Sequence, residues 1–367
     1  MMKTHDSVKD LGIAALDAAR DLLGNVPHLE AGAVRREHPL GSARIDGCIE
    51  FEHGDEAYAL LIEVKRSGAP RFVRSAVYQL KGYLEHARES APGDSGQQWI
   101  PMLVSPYLSP ESRSICMDHG VAYMDLVGNA HLAFDNVYID RTVAGRPKPA
   151  TRALRSMFTP KAGAILRVLL RDPARAWRVT ELAEAADSSL GHVSNVRKAL
   201  LDREWIEKQK DGVILVQPDA LLKAWREEYR RPVARRISGY TLFQGKQLHE
   251  RLSGTLNPEP QRPRAIYSSN SAAQWLAPFT RGGMHSLYAD EPGARALKEV
   301  LKLTRAEKGA NVTVSVVKDE SLLKDAVQPA PGTFCTCPII TYLDLWNGND
   351  RDREAADHLA SKCFPWL

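Results

Sequence analysis

The sequence predicts a mixed α/β chain of three domains: an α/β domain over residues 1–140, a winged helix-turn-helix over 161–235 reached through a basic linker at 141–160, and a second α/β domain over 236–367. Three observations carry this reading. A chain of 367 residues has room for two or three domains of ordinary size. Strand-like and helix-like stretches alternate at both ends, while the middle holds a run of helices closed by a tight-hairpin signal. Charge divides along similar lines: 13 Lys and Arg face 20 Asp and Glu in residues 1–140, 25 face 13 in residues 141–264, and 11 face 12 in residues 265–367, for nets of −7, +12 and −1.

In the first domain, SVKDLGIAALDAARDLL (7–23) sets Leu11, Ala14, Ala15, Ala18, Leu22 and Leu23 at helical spacing and predicts an amphipathic opening helix. AVRREH and ARIDGCIEF follow as strands around Pro39 and Gly41, HGDE turns the chain at 53–56, and AYALLIEVK is the second arm of a hairpin. RFVRSAVYQLKGYLEHAR (71–88) returns to helical period, WIPMLVSP is a short strand, and SPESRSICMDHG is a helix with a capping-box start and a glycine stop. VAYMDLVG and NAHLAFDNVYID complete a helix-flanked sheet.

The linker contains Arg141, Arg146, Lys148, Arg152 and Arg155, no acid and three prolines, so an extended solvated path is expected. KAGAILRVLLRD, VTELAEAA and SSLGHVSNVRKALLDREW then read as three helices, and IEKQK and VILVQP flank the Asp211-Gly212 turn as the wing. PDALLKAWREEYRRPVARRI begins with proline at a helix start and is expected to continue as an arginine-rich helix.

A basic segment of this kind points to a polyanion, because neutralising phosphates is the main source of nucleic-acid affinity. On the third helix Leu190, Val193, Val196 or Arg197, and Leu200 mark the buried face, which leaves Gly191, His192, Asn195 and Lys198 on the other. Ser188 and Ser189 at its start can take a phosphate oxygen, Asn195 can bond adenine in a bidentate fashion, and His192 and Lys198 can reach bases or phosphates. Arg178, Lys208 and Lys210 suit phosphate contacts. A module used only for docking to protein is the competing reading.

In LLIEVKRSGAP (60–70), strand alternation turns Glu63 and Lys65 to one side, and the hairpin brings Asp46 opposite Glu63. Two neighbouring carboxylates repel, and a divalent cation, Mg²⁺ or Mn²⁺, relieves this by binding both; the lysine can then steady a water or a phosphate. A plain same-face ion pair explains Glu63 and Lys65 equally well. Asp46, the E-V-K of 63–65 at the end of an apolar strand, and Gln79 on the following helix resemble the motif of the PD-(D/E)XK phosphodiesterase superfamily. That resemblance, over residues 10–140, implies a restriction-endonuclease-like fold, with Asp46, Glu63, Lys65 and Gln79 as catalytic residues and Asp46 and Glu63 as metal ligands. An additional acid near the opening helix is usual there, with Glu30 and Asp17 as candidates. A degenerate fold kept for docking or for a homodimer stays open beside an active one.

The C-terminal third reads as strand, helix and strand over SLYADEPGARALKEVLKLTRAEKGANVTVSVV, then CPIITYLDLW, a polar loop and a final helix. P-I-x-T-Y-L-D-L followed by N-G-x-x-R-x-x-E-A-A-x-x-L, together with the helical module, resembles the AbiEi family of type IV antitoxins and transcriptional regulators over residues 155–367. The resemblance implies promoter binding by the winged helix and a C-terminal domain that counteracts a nucleotidyltransferase toxin. The 140-residue domain in front departs from that family's pattern. Asp344, Arg351 and Glu354 are expected to be structural, as a helix cap and a salt-bridged surface.

No run of about 18 apolar residues suggests a membrane span, and MMKTHDSVKD lacks a secretory signal, so a cytoplasmic protein is expected. Cys48, Cys116, Cys335, Cys337 and Cys363 are odd in number and include no C-x-x-C, so idle thiols are expected rather than disulfides or a zinc site. The function expected is a DNA-binding regulator or antitoxin, the alternative being a metal-dependent DNA endonuclease targeted by its winged helix. Double-stranded DNA is the partner common to both.

Overall fold

The computed structural model describes residues 3–27, 29–40, 43–90, 97–145, 147, 157–279, 283–306 and 308–367. Arg146, Lys148, Arg152 and Arg155, and with them most of the expected linker, lie outside the described residues. The chain is mixed α/β and forms two compact units, residues 1–153 with 198–204, and residues 154–197 with 205–367.

The first unit is a seven-stranded sheet whose strands stand in chain order. After α1 (Lys3–Gly24), β1 (Glu30–Leu40), β2 (Ala43–His53) and β3 (Glu56–Val64) form an antiparallel meander. Gly54, at φ +61°, makes the turn at HGDE. Helix α2 (Pro70–Ser90) crosses over to β4 (Gln98–Ser105), and α3 (Pro110–Asp118) to β5 (Ala122–Asp125), so β3, β4 and β5 are parallel. Strands β6 (Ala130–Phe134) and β7 (Val137–Arg141) close the far edge antiparallel.

Alternation sorts the strand residues onto two cores. Tyr58, Leu60 and Ile62 pack with Leu16, Ala19 and Leu23 of α1, while Ala59 and Leu61 pack with Val73, Val77 and Leu80 of α2. Gly47 lets α1 approach: a Cβ there would come 2.2 Å from Leu16 Cδ2. Ser109 caps α3 by accepting from Ser112 N at 3.2 Å, without the reciprocal half of a capping box.

The second unit opens with α4 (Pro160–Arg171), α5 (Val179–Ala185) and the first part of α6 (Leu190–Asp202), whose residues from 198 on group with the first unit, followed by the two-stranded hairpin β8 (Ile206–Gln209) and β9 (Gly212–Leu215). At Gly212, φ +147°, a Cβ would lie 2.3 Å from the Trp177 carbonyl oxygen; only glycine lets the hairpin pair with Trp177. Helix α7 (Pro218–Glu228) is shorter than the sequence suggested. Pro232 cannot continue it, and Val233–Tyr240 becomes a strand, β10.

Strand β10 belongs to a second seven-stranded sheet, in which α8 (Gly245–Ser253), β11 (Ala265–Tyr267), α9 (Ser269–Leu276), β12 (His285–Ala289), α10 (Glu291–Val300), β13 (Thr304–Arg305), β14 (Val312–Val317), α11 (Ser321–Lys324), β15 (Val327–Ala330) and β16 (Thr333–Cys335) follow. The strand order is β13-β10-β14-β12-β11-β16-β15. Helices α8 and α10 cover one face through Leu248, Leu252, Leu297 and Leu301 against Val312, Val314 and Val316. Helices α12 (Pro338–Trp346) and α13 (Asp350–Cys363) end the chain.

Polar ties join the helical module to this sheet. Arg167 of α4, 3% exposed, donates to Asp325 Oδ2 at 2.7 Å, and Arg171 reaches the same carboxylate. Arg226 of α7 stacks over Trp346 at 3.9 Å and donates to Tyr342 at 3.0 Å. Asp344 departs from expectation. It is no surface cap but a fully buried residue inside α12, and Asn349 caps the next helix instead. Arg351 and Glu354 are exposed on α13.

All five cysteines are free and four are buried; burial pushes the Cys116 thiol up to about 12. Among the described residues no helix is long and apolar enough to cross a membrane.

Candidate functional site

Strand β3 runs apolar from Tyr58 to Ile62 and ends on Glu63, on the face that α2 covers. Gly47 pairs with Ile62, so the next pair in the register sets Asp46 opposite Glu63. Glu63 is 5% exposed and accepts from Lys65 Nζ at 2.5 Å. Lys65 Nζ also donates to Gln79 Oε1 at 2.9 Å, Gln79 Nε2 donates to the Tyr83 hydroxyl at 2.5 Å, and that hydroxyl donates to the Arg44 carbonyl at 3.1 Å. Asp46 is exposed, and its Oδ2 accepts from Val64 N at 2.7 Å.

These four predicted residues therefore gather at one end of the sheet. Tyr83 belongs with them and escaped the sequence reading; its only signal is its place one helical turn beyond Gln79, which puts both on one face of α2. Burial raises the Glu63 pKa above the ordinary carboxylate range and the Asp46 charge adds to that, while Lys65 and Tyr83 pull it back. Among the described residues the Lys65 ammonium pairs with Glu63, while Asp46 accepts from the Val64 amide and has no cation at ion-pair distance. The deficit is of the kind a divalent cation relieves, and one or two carboxylates with the remaining sites left to water or phosphate oxygens is how Mg²⁺ is usually held. The chemistry of the pair suits such an ion, and Asp46 and Glu63 are the residues that would hold it. Among the described residues no group of three or more His, Cys, Asp and Glu is placed to hold a metal.

The extra acid sought near the opening helix does not join them. Asp17 sits exposed on α1, which covers the face opposite Glu63, and Glu30 opens β1 rather than lying on a helix. A cavity of about 650 Å³, lined by Leu22, His53, Asn136, Tyr138 and Arg141 among others, lies on the α1 side and at the start of β3. We place the candidate chemistry at the carboxylates, because that open hollow gathers no comparable charged set.

Asp125 shows what a settled carboxylate looks like in the same unit. It is fully buried at the end of β5 and accepts from the backbone amides of Leu108, Val127, Gly128 and Asn129 and from Asn129 Nδ2, all at 2.7–3.0 Å. Its work is to tie two loops together.

On α6 the core face is Val193, Val196 and Leu200. Leu190, expected there, is 53% exposed, because it opens the helix before the face has closed on its neighbours. Ser189 caps the helix by accepting from His192 N at 3.3 Å, and Ser188 before it is half-buried. Asn195 and Lys198 are exposed. His192 departs from its expected outward place: it is half-buried, and its Nε2 is buried without a hydrogen-bond partner. Lys208 and Lys210 are exposed on the hairpin, and Arg178 projects before α5 with Asp211 3.6 Å away.

No protein-family model matches the chain, and no curated protein matches it. Among solved structures, a repair endonuclease from Pyrococcus abyssi is similar over 32% of this chain and 46% of that one, at 20% identity and a TM-score of 0.24. The match spans under half of that endonuclease, and a likeness of this size carries no argument about the chain.

Proposed function

We propose that the protein is a double-stranded-DNA-binding transcriptional regulator or antitoxin of a type IV toxin–antitoxin-like system. The observation that carries this reading is the outer surface of α6 and the β8–β9 hairpin. Ser189, Asn195, Lys198, Lys208 and Lys210 all face solvent, while Val193, Val196 and Leu200 anchor the same helix from behind. Read as a winged helix, α6 enters the major groove. Its N-terminal amides and Ser188 and Ser189 take a phosphate oxygen, Asn195 reads a base edge, and Arg178, Lys198, Lys208 and Lys210 neutralise phosphates.

Duplex binding measured against salt tests this. Four phosphate-neutralising cations give a slope of log K against log salt on the order of −4, and Lys208→Ala or Lys210→Ala each reduces it by about 1. Asn195→Ala costs about 1 to 3 kcal/mol of sequence discrimination. No binding to any duplex in dilute buffer overturns the reading. The antitoxin half predicts a complex with a nucleotidyltransferase toxin formed through residues 236–367.

A second reading, a metal-dependent DNA endonuclease, is favoured by the buried Glu63 beside Asp46. When bound there, Mg²⁺ or Mn²⁺ supplies charge neutralisation and a more acidic water. Lys65, held by Gln79, presents its ammonium to a phosphate oxygen or to the attacking water, and Tyr83 fixes Gln79. Plasmid cleavage with Mg²⁺ that disappears in Lys65→Ala supports this; intact plasmid at high protein concentration removes it.

A further inference from the structure

The second sheet has an apolar face and a polar one. Along β14, Val312, Val314 and Val316 enter the core under α8 and α10, and Thr313 and Ser315 turn the other way. Register extends the polar side across three strands: Ser315 stands between Arg236 and Tyr288, and Thr313 between Ser238 and Ser286. A cavity of about 120 Å³ opens on this side, lined by Arg231, Arg236, Ser268, Ser286, Tyr288 and Ser315 among others.

The lining consists largely of donors, and apart from long contacts such as that from Arg231 Nη2 to Ser269 Oγ at 3.5 Å they are not used up by one another. Ser268, 2% exposed, precedes α9 but makes no capping hydrogen bond. Arg231 donates through Nη2 to the Asp344 carbonyl at 2.6 Å, whereas its buried Nε makes no hydrogen bond and stands 3.5 Å from Asp344 Oδ1. Arg235 is paired with Glu291, but among the described residues Arg236 has no acid at ion-pair distance. Arg231 alone therefore pairs with Asp344, and the Arg236 charge on the same side has no counterion of its own among the described residues. Burial raises Asp344 to about 6, so acidification only enlarges the surplus.

We propose that this cavity binds a phosphoryl group, either free phosphate or the head group of a small phosphate monoester. Arg231 and Arg236 hold it from two sides, and the hydroxyls of Ser268, Ser286 and Ser315 donate from the strands and the start of α9. Several converging donors suit a tetrahedral oxyanion better than a planar carboxylate. At about 120 Å³ the cavity exceeds several-fold the roughly 10–15 Å³ that one water needs by the same measure. It accommodates a phosphoryl group, and the rest of a monoester would leave past the exposed Arg236. Arg231 also follows α7 by three residues, so occupancy acts at the joint between the helical module and the sheet, as an effector site would.

Isothermal titration of the full chain with inorganic phosphate and with glycerol phosphate, at matched ionic strength and beside acetate, tests this. Saturable binding of either phosphate compound, absent for acetate and weakened about tenfold or more in Arg236→Gln, is expected. The stronger of the two ligands identifies the source. Arg236 is exposed on its strand, so that variant keeps its thermal unfolding midpoint in phosphate-free buffer. Ser315→Ala gives a second, smaller loss. The proposal is overturned if neither compound binds, if acetate binds as well, or if Arg236→Gln binds phosphate like the parent. DNA binding in phosphate-free buffer is measured apart from this, and its failure does not bear on the cavity.

Discussion

Glu63 in the first sheet and Asp344 beside the second are both buried, and burial raises the pKa of both, yet their surroundings differ. Asp344 accepts from Tyr229 at 3.0 Å and from Tyr288 at 2.8 Å, with Arg231 alongside, so α7, β12 and α12 close around it. Glu63 has a single half-buried lysine and a second carboxylate near it. A buried charge enclosed by donors from two neighbouring elements is a joint. One left beside a like charge at an open sheet end costs stability locally, and such groups collect at functional sites because chemistry needs them.

The largest test of this contrast is Asp344→Ala. It strands two tyrosine hydroxyls and an arginine in the interior, and a loss of about 3 to 5 kcal/mol is expected in urea unfolding of the second unit. Smaller, but sharper in sign, is the pH dependence. The folded Asp344 holds its proton up to about 6 against the ordinary 3.8, so the native state binds more protons across that window. Its contribution therefore falls as pH rises from 3.8 to 6 and is flat above. Urea midpoints taken across that range lose this component in Asp344→Asn; an unchanged profile would show that the carboxylate is not so enclosed.

Tyr288→Phe removes one donor and keeps the packing, for a loss of about 1 to 1.5 kcal/mol. Glu63→Gln goes the other way. With a neutral group beside Asp46, thermal unfolding at neutral pH is expected to show a gain of about 1 kcal/mol. A loss of 3 kcal/mol or more, as for Asp344, would mean that Glu63 is a joint as well and would erase the distinction between the two regions.

Much of the carboxylate cluster was legible because it is local. Glu63 and Lys65 share a face by strand period, and the HGDE turn sets the register that brings Asp46 across. Gln79 and Tyr83 were less accessible, since their approach depends on how α2 lies on the sheet, and only the Gln79 motif drew notice. Leu190 was misplaced by treating α6 as a periodic cylinder, when its first turn lies beyond the packed core. Asp344 was misread because an acid near a helix end is usually a cap, and neither tyrosine that claims it is near in sequence.

By itself the sequence determined the mixed α/β character, most of the elements and the two faces of each strand. Period and turn chemistry act over a few residues and need no distant partner. Tertiary structure alone decided that β10 leaves its helix to join the second sheet, that Asp344 is enclosed, and that Arg231, Arg236 and three serines meet around one cavity. Those residues come from segments up to 115 positions apart, as in the bond from Tyr229 to Asp344. Burial and charge pairing between such segments depend on the whole packed arrangement, which no local pattern encodes.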